Sequence, residues 1–148
     1  MPFFHDQDRS GLRRLYVEAW RKHRAGRPLE PLEHQIVTVI EQHPEYHAML
    51  EDEAEALGRD FTPEAGQSNP FLHMGLHLAI REQAATDRPA GIAAIRAQLV
   101  ERLADPHEAE HRMLERLAES LWLSQRTGQP PDESAYLESL RRMLGRRK

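Results

Sequence analysis

A chain of 148 residues that is 39% hydrophobic and 30% charged can bury a core, which excludes an intrinsically disordered protein. The absence of cysteine excludes a disulfide scaffold and any thiolate metal site, leaving imidazole and carboxylate as the strong ligands. A formal charge of −4 offers no overall basic field for nucleic acid, and no apolar run reaches the ~18 residues of a membrane span. The segment from Met1 to Arg13 is polar and lacks a signal-peptide core, so the expected location is the cytoplasm.

Helical periodicity runs along the whole chain between proline and Asn/Asp marks, and no alternating strand pattern competes with it. The first helix is expected over about Asp8–Arg24, with Leu12, Leu15, Tyr16, Ala19 and Trp20 on its inner stripe and Gly26 as its stop. A second runs from Pro31 to about Gln42, with Leu32, Ile36, Val39 and Ile40 inward. His43-Pro44 interrupts it, because a residue before proline is driven out of helical angles. Pro44 then opens a third to about Leu57, burying Tyr46, Leu50, Ala54 and Leu57.

A loop over 58–68 leads to Asn69-Pro70, a cap followed by a first-turn proline. The helix it opens, Phe71–Ala84, is apolar nearly all round and is expected to be central. Another begins between Thr86 and Pro89 and carries Ile92, Ile95, Leu99, Val100 and Leu103. Asp105-Pro106 repeats the start signal, with Glu108 placed to close a capping box, and the helix reaches about Gln125 through Met113, Leu114, Leu117, Leu121 and Trp122. Asp132 caps the last, which ends at Gly145 before a basic tail that complements its carboxyl end. The expectation is a single all-α domain over 1–148, a bundle of six or seven helices with flexible ends at 1–7 and 145–148.

Six of the nine histidines form pairs at i, i+4: His43/His47, His73/His77 and His107/His111. Residues four apart lie one above the other on a helix, so each pair can present two imidazoles to one point. Helical phasing puts His107 beside the centre of the Leu114/Leu117/Leu121 stripe, His111 on its flank and Glu110 close to the middle. A buried carboxylate there must be paired, protonated or metal-bound, since leaving it bare costs several kcal/mol. Glu33 falls within the Leu32/Ile36/Ile40/Val37 face by the same count, and His47 shares a stripe with Leu50 and Ala54. Gly75, between His73 and His77, is expected to admit a close backbone approach. His43 is read as a cap or a filler of the kink.

The strings LEPLEHQIVTVIEQHPEYH, EAGQSNPFLHMGLHLAIREQ, DRPAGIAAIR and DPHEAEHRMLERLAE resemble a family of short proteobacterial proteins known as a domain of unknown function. That resemblance covers nearly the whole chain and implies no mechanism. Ferritin-like, hemerythrin-like and DinB-like metal-binding bundles are similar only loosely: Glu108-Ala109-Glu110-His111 matches the ferritin-like Glu-x-x-His segment once, His73/His77 the hemerythrin-like pair, and His47 with His107/His111 the DinB-like set.

Two functional classes fit these residues. In the first, His73, His77, His107, His111, Glu110, Glu33 and His47 supply ligands to a divalent metal (Fe, Zn, Mn or Ni), supporting an oxidoreductase or hydrolase reaction on a small molecule. In the second, the chain is a non-catalytic adaptor whose buried His–Glu network fixes helix register. Neither expects a nucleic-acid or membrane partner, and both admit a homodimer.

Overall fold

Proline, asparagine and aspartate set the helix starts, as their local chemistry requires. The computed structural model describes residues 6–59 and 69–145. Among these are eight α-helices, one 3-10 turn and no strand. They are α1 (Asp6–Arg24), α2 (Pro31–Glu41), the turn Pro44–Tyr46, α3 (His47–Leu50), α4 (Glu53–Gly58), α5 (Pro70–Thr86), α6 (Ile92–Leu103), α7 (Pro106–Thr127) and α8 (Glu133–Met143). Residues 60–68 of the loop expected over 58–68, the chain ends at 1–5 and 146–148, and with them most of the basic tail, lie outside the described residues, while Gly58 closes α4. The chain divides into two compact units, Met1–Gly75 and Leu76–Lys148, with the division inside α5.

The helix count rises from the expected six or seven to eight because the third helix is split. Asp52 is extended (φ −111°, ψ 96°) and its side chain accepts from the Glu55 backbone N–H, so it caps a new helix where continuation was expected. The break rotates the next turns of chain, so Ala56 is buried and Ala54, expected inside, is exposed.

In the first unit the inner stripe of α1 is also turned. Tyr16, Val17, Ala19 and Trp20 are buried, but Leu12 is 48% exposed and its neighbour Arg13 is buried. The guanidinium explains the exchange: Arg13 Nη1 donates to the carbonyls of Ala56 (3.2 Å) and Arg59 (2.7 Å) and lies over the Phe71 ring. The last carbonyls of α4 have no intrahelical donor and form the negative end of its dipole, so a cation there outweighs a leucine. Leu32, expected inside α2, is likewise exposed, while Ile36, Val37, Val39 and Ile40 are buried. Gly75 meets no close backbone: a Cβ added there would stand 3.8 Å from Tyr16 Oη, an ordinary contact.

The second unit has a continuous core of Leu76, Ile80, Ile92, Ile95, Leu99, Met113, Leu114, Leu117, Tyr136 and Leu140, among others. Its elements start and stop on local signals. Asp87 accepts from the backbone N–H groups of Gly91 and Ala93, and Gly91 takes φ 101°, so α6 begins at Ile92, later than expected. Gly128 (φ 72°) ends α7 in the left-handed conformation, and Asp132 caps α8 by accepting from Ala135 N. Tyr136 is buried and donates from its hydroxyl to Gln83 Oε1 at 2.7 Å. Leu121 and Trp122, expected in the core, are exposed because α7 runs on past the last core layer at Leu117.

Candidate metal centre

The half of α5 within the second unit packs Leu76 and Ile80 into the same core as Ala109, Met113 and Leu114 of α7. That packing points His77 at the first turns of α7. Asp105 builds those turns, its carboxylate accepting from the N–H groups of His107 (3.1 Å) and Glu108 (3.2 Å), with Pro106 at the first helical position. Glu108 does not close a capping box but accepts from Arg112 Nε one turn on, at 3.1 Å. Asp105→Ala is expected to destabilise the protein by about 1 kcal/mol, read by urea unfolding, since it leaves first-turn donors of the helix that carries His107 unsatisfied.

Three imidazoles gather at this junction. The ring centroids of His107 and His111 are 4.2 Å apart, those of His77 and His111 4.7 Å, and those of His77 and His107 5.3 Å with the rings nearly parallel. Each offers a ring nitrogen, and these nitrogens lie within 4.8 Å of one another. His77 Nε2 and His111 Nε2 are 3.3 Å apart. His77 is fully buried, with His107 and His111 partly so.

Behind His77 stands Glu110, 2% exposed, whose Oε1 accepts from His77 Nδ1 at 2.6 Å. Arg81, one turn beyond His77 on α5, donates from Nε to Oε1 (3.1 Å) and Oε2 (3.0 Å) and from Nη2 to Oε1 (2.9 Å). Burial pulls the Glu110 carboxyl upward. The hydrogen bonds from His77 and Arg81 and the arginine charge outrun it and hold the pKa at about 2. The carboxylate is therefore ionised and accepts Nδ1–H, which leaves the lone pair of a neutral His77 on Nε2, the atom facing His111.

The structure thus brings together His77, His107, His111 and Glu110 from the expected set. The remaining three belong to the first unit and are engaged there. Glu33 is the third residue of α2 and closes its amino end, accepting from Glu30 N at 2.9 Å and pairing with Lys22 Nζ through both oxygens (3.0 and 2.9 Å). His47 donates from Nε2 to the Ile40 carbonyl (2.8 Å) and packs on Trp20. The His73 ring meets the edge of His43 and of Tyr46, while His43 donates from Nδ1 to the Val39 carbonyl at the end of α2. Pro44 opens a 3-10 turn between His43 and His47, so that pair does not share one helical face.

The Glu30 backbone N–H and the Lys22 ammonium hold the Glu33 carboxyl below its ordinary value of 4.5. A depressed folded value adds stability that is present above pH 4.5 and lost as pH falls below it. Glu33→Gln is accordingly expected to narrow the stability difference between pH 6 and pH 3.5, measured by urea unfolding at both.

One residue of the site and one of the fold escape sequence reasoning. Arg81 carries a usable signal, an arginine one turn from His77 that directly follows the apolar residues Leu78, Ala79 and Ile80. Arg13 carries none, because its acceptors are the carbonyls of residues 43 and 46 positions away.

Fold and site together define an all-helical protein whose clustered histidines could hold a metal ion. The chain belongs to the family described as Domain of unknown function (DUF1841), whose model matches residues 8–142. No curated protein and no solved structure matches it.

Proposed function

We propose that the chain is a metal-binding protein in which His77, His107 and His111 supply ligands to one divalent ion and Glu110 orients His77. The spacing of His77 Nε2 and His111 Nε2, 3.3 Å, carries this reading. Two nitrogens bound at about 2.0–2.1 Å to one tetrahedral metal stand about 3.3–3.4 Å apart. An imidazole backed by a carboxylate on its other nitrogen is the common outer-shell arrangement of metal-binding histidine.

The donor set narrows the metal. Glu110 lies on the Nδ1 edge of His77, away from Nε2, and both its oxygens are held by Arg81, so it is a positioning residue rather than a ligand. Imidazole nitrogens without a coordinated carboxylate favour zinc, nickel or iron over manganese. A catalytic role here would be hydrolytic rather than dioxygen-activating, because the carboxylate of a two-histidine, one-carboxylate triad is otherwise occupied.

The Arg81–Glu110 pairing also favours a second reading, a non-catalytic bundle in which the His–Glu–Arg network serves the fold alone. Elemental analysis of untagged protein separates them. One metal equivalent is expected, lost in both His77→Ala and His111→Ala. A metal-free native protein that takes up no added zinc, nickel or iron, and whose melting temperature chelators do not change, would overturn the metal reading.

A further inference from the structure

The connection Gly128–Asp132 folds α8 back along the end of α7, yet the two helices leave a groove between them. Its cavity is about 440 Å³, lined by Leu123, Ala135 and Tyr136 along its walls and by Pro130 and Pro131 at the turn. This volume lies within the roughly 300–1,000 Å³ of small-molecule sites.

The polar lining of the groove includes Glu119, Ser120 and Gln129, together with three hydroxyls that are engaged elsewhere. Ser139 Oγ donates to the Tyr136 carbonyl, Thr127 Oγ1 to the Leu123 carbonyl and Ser124 Oγ to the Gln129 carbonyl, so these hydroxyls are turned to backbone. Tyr136 directs its hydroxyl to Gln83. Asp132 is occupied at the cap of α8.

Charge concentrates at the other end. Arg116 precedes Thr127 by eleven residues and Arg142 follows Asp132 by ten. At a helical rise of about 1.5 Å per residue, both stand roughly 15 Å from the turn, one on each helix, and both line the groove. Arg116 has a loose partner in Glu119 at 3.7 Å, with both side chains well exposed. An exposed pair of this kind contributes little and yields readily to a competing anion.

We propose that this groove binds a small amphipathic carboxylate, its head between Arg116 and Arg142 and its apolar chain running along Leu123 and Tyr136 toward the prolines, within a groove of roughly 15 Å. The guanidinium fork matches a carboxylate head, and the walls take the chain. The site lies wholly within the second unit and does not depend on the metal reading.

Titration of ¹⁵N-labelled full-length protein with decanoate, followed by amide NMR, tests it. Saturable shifts are expected at Leu123, Ser124, Ala135 and Ser139. Arg116→Gln, at a partly buried position, and Arg142→Gln, at an exposed one, are each expected to weaken binding about tenfold. Decanol is expected to bind about tenfold more weakly. Ser139→Leu, which fills the groove and spares both arginines, is expected to abolish the shifts. Equal binding of decanol, shifts confined to the exposed Leu121 and Trp122, or no saturable response would overturn the proposal.

Discussion

Arg81→Met is expected to cost the fold about 3–5 kcal/mol, the usual penalty for leaving a buried charge without its partner. Glu110 is 2% exposed, and Arg81 supplies three of its hydrogen bonds, at 2.9, 3.0 and 3.1 Å. Burial is the largest single influence on this carboxyl, and it acts against the ionised form. Removing the guanidinium leaves His77 alone to oppose it. Methionine keeps the apolar stem of the arginine, so the loss reports the charge rather than packing. Urea unfolding at neutral pH measures the effect. The double variant Arg81→Met/Glu110→Gln is expected to recover much of the stability, because it removes both charges together. A single-variant loss below about 1 kcal/mol would mean that water compensates the carboxylate.

Glu110→Gln is expected to weaken metal affinity about 10–100-fold while leaving one equivalent bound at saturation. The carboxylate fixes His77 with its proton on Nδ1 and makes Nε2 more basic. Glutamine can still accept that hydrogen bond but brings no charge. His111→Ala, by contrast, removes a ligand and is expected to abolish binding in the same assay, a competition titration of zinc against a chromophoric chelator. Unchanged affinity in Glu110→Gln would assign the carboxylate to the fold alone. Loss of stoichiometry would make it a ligand.

Much of the architecture can be read along the chain because helix boundaries are local events. Asn69-Pro70, Asp105-Pro106 and Asp132 cap the residues directly after them, and α5, α7 and α8 begin as their chemistry demands. The errors fall where two local signals compete or a distant group intervenes. Asp52 could continue a helix or cap a new one, and the Glu55 N–H decides for the cap. Leu12 and Arg13 compete for one inward position, and the carbonyls at the end of α4 decide for arginine. Leu121 and Trp122 continue a correct periodicity beyond the last residue with a partner to cover it.

The histidine pairs divide along the same line. Spacing and phase alone determine that His107, His111 and Glu110 share the inner side of α7, since these are properties of one helix. Nothing in one helix determines what stands opposite. Only tertiary packing sets His77 against His111, puts Glu110 behind the His77 ring and supplies Arg81 as its counter-charge. Only tertiary packing engages Glu33 with Lys22 and His47 with the end of α2. The reason is physical: periodicity encodes which residues turn inward, while their partners depend on contacts between different helices, 11 residues apart for Lys22 and Glu33 and 34 for His77 and His111, which spacing does not record.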